Sequence, residues 1–500
     1  MQYTYVCPLK DKIHHYYIDE NGSRKRETIT FEPTLAIPSK KPTGWTDIYG
    51  RPVEIKHFDN IYSMYSFRKE NEEHTSIYGD IGVQYQFISE KYPDKIIPKF
   101  NAIKIYNMDI EVFSETGFPE PNKADYPVTA ITIQDVTKNR FYVFAYKEDY
   151  TPKQKNITYF FCRSEADMLD QFLTFWKRDR PDVITGWNTK FFDVPYLINR
   201  IPRILDTNRE LDLSPFGVIS KEKSFKTEEE SYSILGISHL DYFQLYKKFN
   251  QTTRESYSLN HISQMELDQE KITYHHEYNS LADLYNRNFE LYIDYNIKDV
   301  DLVYQIDEKK KFLHLAFTLA YTAKCNFEDV FGSVKIWDVF VFNELAKRHM
   351  VVAPKKNSNV KTEFVGGYVK EPKPGYFEWI GVADITSSYP NQIISFNLSP
   401  ETLVPENRLP EELLQLKRNT KQIDGFVNLE EIKKMKPILE KYNVSFAANC
   451  EFFSKEKFGV FPEIISEVFA ERKKKKKMAE ALYTEIKELG KELEELESGH

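Results

Sequence analysis

The chain is 500 residues long, with a formal net charge of −8, 29% charged residues and an aromatic share of 15%. That length suggests about three domains, and the composition is that of a folded chain whose total charge does not advertise a polyanion partner, although such binding depends on local grooves. The four cysteines (Cys7, Cys162, Cys325, Cys450) are far apart and form no C-x-x-C, which argues against a zinc module or a disulfide framework and suits a reducing cytosol; the opening MQYTYVCPLK has no signal-peptide pattern, and no run of about 18 apolar residues exists to span a membrane.

Residues 1–102 mix short strand-like runs with turns such as Pro42-Thr43-Gly44 and read as a β-rich N-terminal domain without a catalytic constellation. Residues 102–113 read as a strand with apolar or aromatic residues on both parities, hence central in a sheet. Side chains alternate along a strand, so Asp109 and Glu111 share a face. Two carboxylates one pleat apart repel each other and resist desolvation, and cations relieve both penalties. Two solvated acids on an edge strand are the plain alternative.

Residues 128–134 and 141–146 form a hairpin pattern joined through Thr137-Lys138-Asn139. Ser164-Glu165-Ala166-Asp167 opens a helix that buries Met168, Leu169, Phe172, Leu173 and Trp176. A strand then runs to Thr185, the chain turns at Gly186, and a helix starts near Asp193 with Pro195 in its first turn. Asp193 is either a helix cap or a site acid. Residues 285–312 read as one long helix, with Tyr295 and Asp299 four apart on one face. Asp109, Glu111, Asp193 and Asp299 together suit two divalent ions about 3.5–4 Å apart, an arrangement for phosphodiester cleavage in which Tyr295 orients the attacking water. Hard oxygen ligands favour Mg²⁺ or Mn²⁺.

The ordered set Asp109-x-Glu111, Asn188-x-x-x-Phe192-Asp193-x-Pro195-Tyr196 and Tyr295-x-x-x-Asp299 resembles the three exonuclease motifs of family B DNA polymerases, in particular their T-even-type phage branch. Tyr257-Ser258-Leu259-Asn260 is also similar to the family. The resemblance implies an α/β multidomain chain. Its parts are an N-terminal domain at 1–102 to which 313–355 returns, an RNase H-like 3′→5′ exonuclease domain at 103–312, a partial palm at 356–460 and one long fingers helix at 461–500. It implies that Asn188 and Phe192 contact DNA.

Phe364-Val365-Gly366-Gly367 resembles the family's Tyr-x-Gly-Gly loop, with Phe364 in place of Tyr; paired glycines let backbone approach DNA at Gly366 and Gly367. Residues 377–390 read as an apolar strand ending in Asp384, then a tight turn into a helix bounded by Pro390. They resemble the first polymerase motif, with Ser388 where the family has Leu. The resemblance implies that Asp384 ligates both metals of nucleotidyl transfer, that amides around Ser387, Ser388 and Tyr389 cradle the triphosphate, and that Tyr389 packs under the sugar. Residues 461 onward read as a long helix in which Arg472 to Lys477 are consecutive bases. Arg472 and Lys476 share a face and match the family's triphosphate contacts. Leu482, Ile486, Leu489, Leu493 and Leu496 repeat at coiled-coil spacing before Gly499, a seam that asks for a partner helix.

The family's Tyr-Gly-Asp-Thr-Asp hairpin and Lys-x-x-x-Asn-Ser-x-Tyr-Gly helix do not occur in these residues. The expectation is therefore the N-terminal subunit of a split phage DNA polymerase in the cytoplasm of an infected bacterium. Its partners would be primer-template and single-stranded DNA, dNTP, and a second chain with the remaining palm, fingers helix and thumb. A sliding clamp would attach through that second chain. Two ions would sit at the exonuclease site and two more at the completed polymerase site. The alternatives are a stand-alone single-strand DNA exonuclease with a DNA-binding palm remnant, and a non-catalytic nucleic-acid-binding regulator.

Overall fold

The acid-bearing strand, Ile105–Val112, lies inside a six-stranded mixed sheet. In order across the sheet the strands are Ile157–Cys162, Arg140–Tyr146, Val128–Asp135, Ile105–Val112, Val183–Thr185 and Ser238–His239. The hairpin strands Val128–Asp135 and Arg140–Tyr146 pair antiparallel, as their turn chemistry requires, with Asn139 left-handed at φ +47°. Ile105–Val112 is antiparallel to Val128–Asp135 and parallel to Val183–Thr185. This computed structural model describes residues 1–115, 117–223, 230–354, 371–421 and 429–498.

Both faces of the sheet are covered, which is why its strands carry apolar residues on both parities. On one face Tyr106, Met108, Ile110, Ile131, Ile133 and Phe144 pack against helices Glu165–Arg178 and Asp193–Ile204. Met168, Leu169, Phe172, Leu173 and Trp176 of the first helix are all buried there. Its entry is fixed twice: Ser164 Oγ accepts from Asp167 N, and Asp167 Oδ2 accepts from Arg163 N. On the other face Ala130, Phe141, Val143 and Ala145 pack against helices Leu281–Arg287 and Phe289–Lys310.

The single helix expected over 285–312 is two helices and the start of a third. Asn288 leaves helical geometry at φ −147°, and its side chain accepts from Leu291 N, so it caps the Phe289–Lys310 helix afresh. Lys311, left-handed at φ +56°, ends that helix.

The chain divides into two compact units, Met1–Leu35 with Ile55–Asn343, and Ala36–Glu54 with Glu344–His500. In the first, the N-terminal strands Gln2–Leu9, Lys12–Ile18 and Arg24–Ile29 form their own antiparallel sheet. Tyr3 Oη donates to Cys325 O, and Phe317, Tyr321 and Phe327 share its core. In the second unit, Met350–Val351 pairs with Thr46–Asp47. A small core of Leu409, Leu413, Val444 and Phe452 sits under helices Glu411–Lys421 and Leu429–Lys441. The helix read from 461 onward spans Val460–Ser498.

Candidate metal centre

Because Tyr106, Met108 and Ile110 take one face of their strand, Asn107, Asp109 and Glu111 take the other. That face meets the Phe289–Lys310 helix, and Asn107 Nδ2 donates to Val300 O across the gap. The helix presents Asn296 and Asp299 to the two strand acids. Carboxylate oxygens of Asp109, Glu111 and Asp299 all lie within 4.8 Å of one another. Asn296 Nδ2 donates to Asp109 Oδ2 at 2.7 Å and to Glu111 Oε1 at 3.5 Å.

Asp193 reaches the group from the opposite layer. It is the first residue of its helix, and its Oδ1 accepts from Ile110 N at 2.9 Å. The turn that delivers it is built on Gly186, at φ +154°, where a Cβ would lie 2.4 Å from Met108 O. Asn188, at φ +66°, uses its carbonyl to accept from Phe191 N and Phe192 N. Phe192 is half-buried and packs against Phe118 at 5.1 Å and Tyr196 at 5.7 Å.

The cluster is electrostatically overloaded. Burial raises the Asp109 carboxyl well above its ordinary range, and the Asp193, Glu111 and Asp299 charges push it further. Burial likewise raises Glu111, with Asp299 next. Asp193 is raised by burial, which the N–H of Ile110 opposes. Asp299 is raised by burial, which Lys271 opposes. Asp299 Oδ1 is buried and accepts no hydrogen bond from the described residues. Crowded oxygen donors, an unsatisfied lone pair and carboxyls pushed toward protonation are what a bound divalent cation would relieve, so the donor set fits a hard metal ion.

Lys271 had no sequence signal. It lies on a loop, where its Nζ donates to Asp299 Oδ2 at 2.5 Å and to Tyr295 Oη at 3.3 Å. Burial works against its charge, but Asp299, Asp109 and Glu111 keep its pKa raised. The loop is pinned by Asn260, whose Oδ1 accepts from Lys271 N at 2.8 Å. Asn260 belongs to a helix capped by Ser258, so the Tyr257-Ser258-Leu259-Asn260 stretch positions a cation in the cluster. Tyr295 is half-buried beside the acids, braced edge-on by Tyr274 at 5.5 Å. Burial and then Asp299 raise its hydroxyl pKa.

The other predicted residues lie in the second unit. Asp384 is exposed, and residues 371–385 contain no strand. That departs from the strand read at 377–384. A strand needs a neighbour for its N–H and C=O groups, and no described strand pairs with it. Trp379 is 100% and Val382 91% exposed, so the apolar residues that suggested a strand are uncovered. Ser387 is left-handed at φ +50° and Ser388 begins the helix Ser388–Phe396, whose Asn391 Nδ2 donates to Thr386 O. Tyr389 is exposed. Arg472 and Lys476 are exposed on the long helix, Arg472 over Phe469 and Lys476 3.7 Å from Glu480. Leu482, Ile486, Leu489, Leu493 and Leu496 are all exposed. Gly366, Gly367 and Gly499 lie outside the described residues.

Three carboxylates gathered within 4.8 Å, with Asp193 outside that group but bonded to the strand between two of them and close enough for its charge to raise Asp109, make a candidate centre for divalent metal. Residues 51–262, which include Asp109, Glu111 and Asp193, match the exonuclease domain of DNA polymerase family B. Residues 333–490, which include Asp384 and Arg472, match DNA polymerase family B itself. The chain is 32% identical over 512 residues to the DNA-directed DNA polymerase of Escherichia phage RB69, covering 95% of this chain and 53% of that protein. It is 32% identical over 519 residues to that of Enterobacteria phage T4, covering 97% of this chain and 55% of that protein. The DNA polymerase delta catalytic subunit of Dictyostelium discoideum is 28% identical over 412 residues, 75% of this chain and 33% of that protein. The chain belongs to DNA polymerase family B. It spans about half the length of the curated phage relatives it matches, 53% and 55%.

Proposed function

We propose that this chain is a 3′→5′ exonuclease joined to part of a polymerase site, acting on single-stranded ends and primer-template DNA during replication. The observation that carries this reading is the gathering of Asp109, Glu111 and Asp299 oxygens within 4.8 Å. The sheet order supports an RNase H-like fold: an antiparallel meander is followed by strands parallel to its innermost member. Asp109, Glu111, Asp193 and Asp299 would hold two Mg²⁺ or Mn²⁺ ions. When bound, such ions make water a nucleophile near neutral pH and neutralise the leaving oxygen.

The chain's own residues do the rest. Tyr295 holds the attacking water through its hydroxyl, and Asn188 and Phe192 grip the terminal nucleotide. Hydrolysis forms a bond from water oxygen to phosphorus and breaks the P–O3′ bond. A 5′-mononucleotide departs and the strand keeps a 3′-hydroxyl.

The match at 333–490 supports a polymerase role for the second unit. Asp384 would ligate metal, Ser387, Ser388 and Tyr389 would receive dNTP, and Arg472 and Lys476 would hold its triphosphate. Gly366 and Gly367 would let the backbone meet DNA. The remaining carboxylates, fingers helix and thumb, and the clamp contact, would be supplied from outside these 500 residues, in the infected bacterial cytoplasm.

The test is digestion of a 5′-labelled single strand with Mg²⁺. A ladder receding from the 3′ end is expected. Equal digestion by an Asp109→Ala/Glu111→Ala chain would refute the assignment, and no digestion by either would favour a non-catalytic role.

A further inference from the structure

A second concave site lies at the far end of the acid strand. It is a pocket of about 220 Å³ between the N-terminal sheet and the approach to the Val183–Thr185 strand. Arg24, Lys25, Arg26, Lys177, Arg178 and Arg180 line it, against Asp179 and Asp182. The two acids are already engaged. Asp182 accepts from Arg24 Nη2 at 2.9 Å and from Lys104 N at 2.9 Å, and Asp179 pairs with the Lys104 ammonium. Lys177 is paired with Asp212 at 3.0 Å. Lys25, Arg26, Arg178 and Arg180 have no carboxylate partner among the described residues.

Arg180 is the telling member. Its Nη2 donates to Asp212 O at 3.1 Å, but its Nε is buried and donates to nothing described. Burial and then the Arg26 charge both work against its protonated form, and a guanidinium does not shed its proton to escape. A guanidinium charge that Asp212 offsets only in part, in a concavity of a chain with net charge −8, is a demand for an anion. Arginine forks match phosphate. Tyr16 and Tyr17 also line the pocket, Tyr16 with Arg26 above its ring at 5.8 Å, and aromatic rings are surfaces on which a base stacks.

We propose that this pocket binds the phosphate of a nucleotide, free or at the 5′ end of a single strand. It is separate from the acid cluster. Asp182 N and Val183 N donate to Lys104 O, five residues before Asp109 and so roughly 17 Å away along an extended strand.

The test is calorimetric titration of the whole chain in EDTA, where no metal supports hydrolysis. The probes are adenosine 5′-monophosphate, the trimer pTTT and its 5′-hydroxyl form TTT. The comparison protein is Lys25→Glu/Arg178→Glu, altered at two exposed positions. Saturable binding of the monophosphate or of pTTT is expected, weakened about tenfold or more by the substitutions and by added salt. Similar affinity for monophosphate and pTTT identifies a free-nucleotide site, and preference for pTTT over both others identifies a strand-end site. No binding of either phosphorylated probe, or undiminished binding by the substituted chain, overturns the proposal. An Asp109→Ala/Glu111→Ala chain should bind as the parent does, and the Lys25→Glu/Arg178→Glu chain should digest 3′ ends as the parent does in Mg²⁺, so this site and the exonuclease reading fail separately.

Discussion

The carboxylate of Asp193 accepts a 2.9 Å hydrogen bond from the backbone N–H of Ile110, the residue between Asp109 and Glu111. One bond thus ties the first turn of a helix in one layer to the strand whose acids face the other. Asparagine at 193 keeps the acceptor and removes the charge. Asp193→Asn should therefore fold at least as stably without metal, because a buried repulsive charge is gone. Its exonuclease rate should fall about 10²-fold or more, since a neutral amide is a poor ligand for a hard cation. Melting temperature and end-labelled digestion check both halves, and parental activity in the variant would remove Asp193 from the site.

Stability should respond to pH through the same cluster. The folded pKa of Glu111 is raised to about 8 and that of Asp193 to about 7, against about 4 for free carboxyls. In that window the folded chain holds more protons than the unfolded one, so its stability is fullest at the acid end. The contribution is lost as pH rises toward about 8. The metal-free melting temperature should fall over that range, and Glu111→Gln should flatten the fall. Added Mg²⁺ or Mn²⁺ should restore more at about pH 8 than at about pH 5, because ligands must be deprotonated to bind. Identical profiles for parent and Glu111→Gln, with and without metal, would contradict this account.

The strand, turn and helix around the acids were legible because each has a local cause. Alternation along Ile105–Val112 puts Asp109 and Glu111 together, Gly186 marks the turn, and Asp193 starts a helix with Pro195 behind it. What stayed hidden depends on distant parts of the chain. Lys271 is a loop lysine whose placement rests on Asn260 holding its backbone N–H. Asn296 is one polar residue on a long helix until Asp109 is seen to accept from it. The break at Asn288 was overridden by the apolar periodicity on either side. The 377–384 stretch misled for the opposite reason, since strand-like composition cannot form a strand without a neighbour to pair with.

Lys271 is the only described lysine or arginine within 4.0 Å of Asp299, at 2.5 Å. Lys271→Met removes that compensation and leaves a buried carboxylate among others. We expect the metal-free protein to lose on the order of 3 kcal/mol of stability near neutral pH. Saturating Mn²⁺ should recover much of that, since it supplies the missing charge. Chemical denaturation with and without Mn²⁺ measures both, and a loss indifferent to metal would mean that Lys271 acts through packing alone.

Gly186 sits where the strand Val183–Thr185 turns toward Asp193. A Cβ there would meet Met108 O and Thr189 Cγ2, each at 2.4 Å, in a backbone conformation at φ +154°. Gly186→Ala should cost about 3 kcal/mol and displace the turn carrying Asn188 and Phe192. Digestion should suffer even below the melting temperature, because the helix start that carries Asp193 moves with the turn. An alanine variant with parental stability and rate would show that the turn relaxes freely.

The second unit carries Asp384, at the end of the stretch that resembles the first polymerase motif, and it stands exposed near uncovered Trp379 and Val382. In the polymerase role proposed for it, Asp384 would need further carboxylates around the two ions. The long helix adds its own unmet demand, with Leu482, Ile486, Leu489, Leu493 and Leu496 exposed along one seam. In an antiparallel pairing, a partner helix basic at one end and acidic at the other would match Arg472 to Lys477 and the glutamates that follow, Glu485, Glu488 and Glu492. A partner strand alongside 377–384 would also take up its free backbone groups. The expectation is that this chain alone does not extend a primer, and that mixing it with a chain bearing the Tyr-Gly-Asp-Thr-Asp hairpin restores extension. Asp384→Ala should abolish the restored activity, while Leu489→Lys with Leu493→Lys should weaken association and leave 3′ digestion untouched. Primer extension by this chain alone would show that its site is complete without a partner.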